Sequence, residues 1–158
     1  MARIMSGNWN DLPWRGMETK KVGDEYKVYS VVFCMEAENL MCLLGECHNG
    51  MPETPHNHPH EQIALVIQGE CDYIVDGIPY RLTPGCWVNI PPHYEHYSRV
   101  YRTKEPCLQM DIFTPSRPSS IEPYKEWIKK EYDIDWDSGV KVVPDLTGPR
   151  NPNLEVRA

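Results

Sequence analysis

Between residues 26 and 113 the chain is a series of short apolar or β-branched runs separated by turn residues. Asp76-Gly77 is a hairpin turn signal, and Thr83-Pro84-Gly85 predicts a second turn. Short strands spaced about ten residues apart predict an all-β barrel or sandwich rather than alternating strands and helices. The runs occupy residues 26–33, 40–47, 62–69, 71–77, 78–85, 86–92, 96–101 and 107–113.

A single helix is predicted after the strand series, in the segment SSIEPYKEWIKKEY at residues 119–132. We expect Ser119 or Ser120 to cap its N-terminus and Pro123 to fall in its first turn, where proline is tolerated. Four residues at helical spacing form the apolar face of this segment and predict packing against the barrel or a partner subunit. They are Tyr124, Trp127, Ile128 and Tyr132.

The length of 158 residues predicts one domain. We divide it into an N-terminal arm (1–25), a barrel (26–117) and a C-terminal helix with a tail (118–158). The net charge of −7 comes from mixed acidic and basic residues, which argues against a nucleic-acid partner. No apolar run approaches the roughly 20 residues of a membrane span, and the first residues lack the apolar core of a secretory signal. We therefore expect no membrane partner and a cytoplasmic location.

The histidines are concentrated in one part of the chain, since all six fall between residues 48 and 96. In the stretch HNHPHEQ, His56 and His58 are two residues apart, so an extended backbone projects both to the same face. Gln62 can return to that face beyond the bend at Pro59. Neutral imidazoles suit zinc, iron, nickel and copper. If His96 converges with these residues inside one barrel, the four side chains form a metal site.

Two spaced motifs contain these residues. The first, G-x5-H-x-H-x3,4-E-x6-G, is matched by Gly50, His56, His58, Gln62 and Gly69, with Gln62 in the acidic position. The second, G-x5-P-x-G-x2-H-x3-N, is matched by Gly85, Pro91 and His96. His93 stands where glycine is usual, and Val100 where asparagine is usual. With both motifs present at a compact separation, the chain resembles a single-domain cupin.

The cupin resemblance implies a double-stranded β-helix, a jelly-roll barrel that binds a divalent transition metal (zinc, iron, nickel or manganese) in its mouth. The implied ligands are His56, His58, Gln62 and His96. Three imidazoles and one carbonyl oxygen leave coordination positions open, as in catalytic sites. An amide in place of the usual carboxylate cancels no metal charge, so the ion would be a stronger Lewis acid.

A narrower resemblance comes from three segments: HPHEQ followed by an apolar strand and Gly-Glu, then IPP-x3-H, then DIFTPSR. Together they are similar to the small cupins of the pectin and alginate pathways, which convert unsaturated uronates to linear keto sugars. The resemblance implies that Asp111 and Arg117 work beside the metal. Strand parity places Gln109, Asp111 and Phe113 on one face, so Asp111 can act as a general acid or base in the barrel. Arg117 can bind a substrate carboxylate, or the two residues can form a structural ion pair.

These features favour a metal-dependent enzyme for non-redox proton transfer, by ring opening, tautomerisation or elimination, on a small carboxylate or sugar-acid substrate. An Fe(II) dioxygenase is an alternative, because three histidine ligands and open positions also suit iron. A third possibility is a module that binds a metal or a sugar without turnover. We expect a small-molecule substrate and a homodimer, since cupins of this size commonly exchange strands or arms.

Overall fold

The computed structural model describes Trp9 and residues 13–22, 25–48, 51–100 and 106–136. These residues contain nine strands and one helix. The strands are β1 Gly16–Val22, β2 Glu25–Glu36, β3 Met41–Cys47, β4 Glu61–Gln68, β5 Cys71–Val75, β6 Ile78–Leu82, β7 Trp87–Ile90, β8 His96–Val100 and β9 Cys107–Thr114, and the helix is α1 Pro118–Tyr132. The predicted all-β class with one C-terminal helix is confirmed.

The described strands form two antiparallel sheets. The larger sheet has the order β1-β2-β3-β9-β4-β7, and the smaller has the order β6-β5-β8. Strand β9 lies between β3 and β4, so the last of the described strands lies in the middle of the larger sheet. This crossover brings residues more than forty positions apart in sequence onto neighbouring strands.

The barrel interior is built by alternation along each strand. On β4, for example, Gln62, Ala64 and Val66 are buried, whereas Glu61 and Ile63 are exposed. Inward side chains of both sheets meet in one apolar cluster, which excludes water and stabilises the pairing of the sheets. Its buried members are Cys47, Ala64, Val66, Cys71, Tyr73, Val75, Leu82, Val88, Ile90 and Cys107.

Helix α1 packs against the larger sheet, as its apolar spacing predicts. Ile121, Tyr124 and Ile128 are buried in a second cluster with residues of β3 and β9. Trp127 is only partly buried against this cluster, and Tyr132 is 52% exposed. The contact face is therefore shifted by about one turn towards the start of the helix.

The predicted serine cap is wrong. Arg117 is the residue that precedes the first helical turn, and it makes no side-chain cap hydrogen bond. The helix begins at Pro118, whose fixed φ suits the first helical position and whose missing N–H has no partner to lose there. Ser119 and Ser120 consequently lie inside the first turn, and Pro123 lies in the second.

Strand β1 falls within the segment that we expected to be an N-terminal arm, and it extends the larger sheet by pairing with β2. Of the predicted arm, Trp9, residues 13–15 and Glu25 are also described. Its other residues, and residues 137–158 of the predicted tail, lie outside the described residues. Within the described part of the chain, no helix is long and apolar enough to cross a membrane.

Gly69, the glycine that ends the first motif, has a steric role that yields a prediction. Its φ is +72°, and an added Cβ would lie 2.9 Å from both the Cα of Cys107 and the carbonyl oxygen of Pro106. We expect Gly69→Ala to lower the free energy of unfolding by about 2–4 kcal/mol, because it combines backbone strain with a clash against backbone atoms. Gly77→Ala is the matched control, since Gly77 has a φ of +78° but nothing within 4 Å. Equal losses for the two variants in urea titrations would contradict this assignment.

Candidate metal centre

Three histidines from two separate segments meet at one end of the barrel. His56 and His58 precede β4, and His96 begins β8. Backbone hydrogen bonds join the segments: His96 N–H donates to the oxygen of His56 at 2.8 Å, and His56 N–H donates to the oxygen of His96 at 3.2 Å. One ring nitrogen of each histidine lies within 4.8 Å of the others. His58 and His96 are buried and His56 is exposed, so the triad has access to solvent from one side.

The orientation of each imidazole is determined by a backbone carbonyl two residues away in the chain. A carbonyl oxygen only accepts hydrogen bonds, so a nearby Nδ1 carries the proton and Nε2 retains its lone pair. In this tautomer a histidine can bind a cation through Nε2. The distances from Nδ1 to these oxygens are 2.9 Å for His56 and Thr54, 3.0 Å for His58 and His60, and 2.8 Å for His96 and Tyr94.

Burial keeps the inner histidines uncharged. It lowers the pKa of His96 to about 4, and the positive charge of Arg117 acts in the same direction. Burial likewise lowers the pKa of His58. Both rings are therefore neutral at neutral pH, which is the state that a metal ion requires.

Two ring nitrogens of the triad are in environments that suit a bound cation. Among the described residues, Nε2 of His96 is buried without a hydrogen-bond partner. Nε2 of His58 lies 3.0 Å from Oε1 of Gln62, while Nδ1 of the same ring faces the oxygen of His60. A neutral ring has one N–H and can donate to only one of these two oxygens. A cation near Nε2 would remove this conflict, so the triad is positioned to hold a metal ion.

Gln62 connects the triad to the carboxylate of Asp111. Its side chain is 2% exposed, and its Nε2 donates to Oδ1 of Asp111 at 2.8 Å and to the hydroxyl of Tyr73 at 2.8 Å. Asp111 comes from β9, on the inward face that strand parity predicts, and Tyr73 comes from the opposite sheet.

The environment of Asp111 favours proton exchange near neutral pH. Burial raises the pKa of the Asp111 carboxyl to about 7, although hydrogen bonds from Gln62 and Tyr73 and the charge of Arg117 oppose this rise. A carboxyl group with such a pKa can both accept and donate a proton at physiological pH.

Arg117 lies beside the site at the start of α1. Its guanidinium carbon is 5.5 Å from the centre of the Phe113 ring, and that ring is in edge contact with the ring of His58 at 5.4 Å. The positive charge of Arg117 acts to lower the pKa of four groups in the barrel mouth. These groups are His58, His60, His96 and Asp111.

The structure adds information on two residues of the site, Tyr73 and His93. Alternation in CDYIV places Tyr73 on the inward face with Cys71 and Val75, but it does not identify Tyr73 as a partner of Gln62. His93 occupies the position where the second motif usually has glycine, and its φ is +67°. The left-handed backbone that glycine favours is thus retained, and it allows His93 N–H to donate to the oxygen of His58 at 2.8 Å.

The comparisons with known proteins agree with this architecture. Residues 46–113 match the family model described as the cupin domain. A search among curated proteins gave no significant match.

Several solved structures share the fold. KdgF from Halomonas sp. is 24% identical over 72% of this chain and 94% of its own, with a TM-score of 0.58. An RmlC-like cupin from Shewanella frigidimarina is 23% identical over 66% of this chain and 96% of its own, with a TM-score of 0.50. The DMSP lyase DddQ from Ruegeria pomeroyi is 22% identical over 66% of this chain and 57% of its own, with a TM-score of 0.52. The chain therefore has the cupin fold, and its barrel is the double-stranded β-helix that the two motifs predicted.

Proposed function

We propose that this cupin is a metal-dependent, non-redox enzyme that opens and tautomerises a small sugar acid, with an unsaturated monouronate as the substrate class. The observation that carries the proposal is the position of Asp111, whose carboxylate is hydrogen-bonded to Gln62 beside the histidine triad. The similarity of the HPHEQ and DIFTPSR segments to the small cupins of the pectin and alginate pathways supports the same chemistry.

The proposed metal ligands are His56, His58 and His96 together with the amide oxygen of Gln62. When bound, a divalent ion would act as a Lewis acid towards a substrate oxygen. Because all four ligands are neutral, the full charge of the ion would remain available to an anionic substrate. Zinc, iron, nickel and manganese are the candidates, and imidazole ligation is compatible with the first three in particular.

Arg117 and Asp111 have different roles in the proposed reaction. Arg117 binds the substrate carboxylate through paired N–H donors and so orients the sugar ring. Asp111 in its ionised form removes the proton of the anomeric hydroxyl, and the ring carbon–oxygen bond breaks to give an aldehyde and an enolate. The protonated Asp111 then returns that proton to the alkene carbon, which leaves a linear keto sugar. The reaction is an isomerisation, so it needs no oxidant and no second substrate.

The direct test uses metal-depleted protein reloaded separately with zinc, iron, nickel or manganese. Each form is incubated with an unsaturated galacturonate or mannuronate monomer, with and without oxygen. We expect the ultraviolet absorbance of the conjugated alkene to disappear at the same rate in both atmospheres, and a keto product to appear by NMR. Turnover that requires iron and consumes oxygen would instead support a dioxygenase. Binding without any product would support a non-catalytic module.

The role proposed for Arg117 gives a separate prediction. We expect Arg117→Lys to raise KM about tenfold with little change in kcat, because lysine keeps the charge but loses the paired contact with the carboxylate. Arg99→Lys is the control, since the Arg99 side chain is exposed on β8 and is paired with Glu53. A fall in kcat with unchanged KM would show that Arg117 does not act by binding substrate.

A further inference from the structure

Gln62 makes a complete set of hydrogen bonds on the side away from the triad. One N–H of its amide donates to Asp111 and the other to the hydroxyl of Tyr73, each at 2.8 Å. Both N–H groups of the Gln62 amide thus have an acceptor, an arrangement that favours a single orientation of the amide.

These two hydrogen bonds determine which atom of Gln62 faces the histidines. An amide rotated by half a turn would place its oxygen against the Asp111 carboxylate, bringing two acceptors together, and would direct an N–H towards the triad. An N–H cannot bind a cation. In the observed orientation Oε1 lies 3.0 Å from Nε2 of His58, so the group directed at the triad has lone pairs.

Tyr73 is well placed to maintain this orientation from the opposite sheet. It lies on β5, is 4% exposed, and its ring stacks on that of His96 with centroids 6.2 Å apart and planes 16° apart. One buried side chain therefore contacts two of the four proposed ligands, His96 through its ring and Gln62 through its hydroxyl. Because the ring is packed between the sheets, the hydroxyl has little freedom to move.

We propose that Tyr73 is a positioning residue of the metal centre, whose hydroxyl holds the Gln62 amide with its oxygen directed at the histidine triad. This inference rests on the proposed function, because it takes Gln62 as a ligand. It explains how a neutral amide, a weaker ligand than the carboxylate usual at this motif position, can serve there: its orientation is fixed before the ion binds. Partners that orient metal ligands in this way typically contribute tenfold to a hundredfold to metal affinity.

A double-mutant cycle tests the proposal through metal affinity, without reference to turnover. Metal-free wild type, Tyr73→Phe, Gln62→Ala and the double variant are titrated with cobalt chloride by calorimetry, and the visible spectrum of bound cobalt is recorded. We expect Tyr73→Phe to weaken cobalt binding about tenfold and to shift the spectrum when Gln62 is present. In the Gln62→Ala background the same substitution should change affinity less than about twofold, because nothing remains to be oriented.

Tyr80→Phe is the matched control, because Tyr80 pairs with Tyr73 across β5 and β6 but is exposed. If the Tyr73→Phe variant did not fold, a fluorinated tyrosine at position 73 would replace phenylalanine in the double-mutant cycle. This residue keeps the ring and weakens the hydroxyl as a hydrogen-bond acceptor. Unchanged affinity in the Gln62 background, or an equal loss in both backgrounds, would overturn the role of Tyr73. Failure of the wild type itself to bind cobalt would instead overturn the metal centre on which the proposed function depends.

Discussion

A His96→Ala variant is expected to lose metal affinity by about three orders of magnitude, more than the tenfold to hundredfold effect of residues that only orient ligands. His96 is 1% exposed, its ring is directed by the oxygen of Tyr94, and its Nε2 is buried without a partner in the described part of the chain. The substitution removes a ligand at a position that water reaches poorly, because the His96 side chain itself is buried. Calorimetric titration of the metal-free protein with zinc chloride measures the effect.

The fold should survive this substitution. The two hydrogen bonds that join His96 to His56 are between backbone atoms, so alanine can maintain them. His48→Ala is the control for loss of a histidine, because Nε2 of His48 lies 2.8 Å from Oε1 of Glu46 and His48 is not part of the triad. Free imidazole added to His96→Ala should restore part of the affinity by occupying the vacated space. Wild-type affinity in the variant would exclude His96 from the metal centre.

The strands and the triad were predictable because their signals are local. Alternation of apolar and polar residues, as in β4, gives both the strand and its inward face, and turn residues such as Asp76-Gly77 give the boundaries. The spacing of His56 and His58 places both on one face of an extended chain. Only the convergence of His96 with them required the fold, and the paired motifs supplied that information.

Side-chain contacts between the two sheets of the barrel could not be predicted from the sequence. Parity places Tyr73 and Asp111 inside the barrel, but it does not say which inward side chains meet, because that depends on how the two sheets pack. The start of α1 was misassigned for a local reason: Ser119 and Ser120 resemble caps, yet Pro118 allows the helix to begin before them. His93 shows the opposite case, in which an unusual residue keeps the backbone geometry of the motif.

The largest catalytic effect is expected from Asp111→Asn, which should lower kcat by a factor of about 100 to 10,000 while metal affinity stays within a few fold of the wild type. Asparagine has nearly the same shape and retains an oxygen that can accept the hydrogen bond from Gln62, but it cannot take up a proton. The metal centre should therefore remain assembled while the proton-transfer step fails. Turnover is measured on the unsaturated uronate monomer, and metal content is measured on the same preparation.

Asp76→Asn separates this effect from a general consequence of losing a carboxylate. Asp76 is exposed in the β5–β6 turn, and its φ of +50° is one that asparagine also adopts readily. We expect this control to retain full kcat. If Asp111→Asn were equally active, Asp111 would not carry the proton, and its buried carboxylate would serve only to orient Gln62. If the variant instead lost its metal, the hydrogen bond from Gln62 to Asp111 would be essential to the metal centre. The cobalt titrations used for Tyr73 would then separate the role of Asp111 in metal binding from its role in proton transfer.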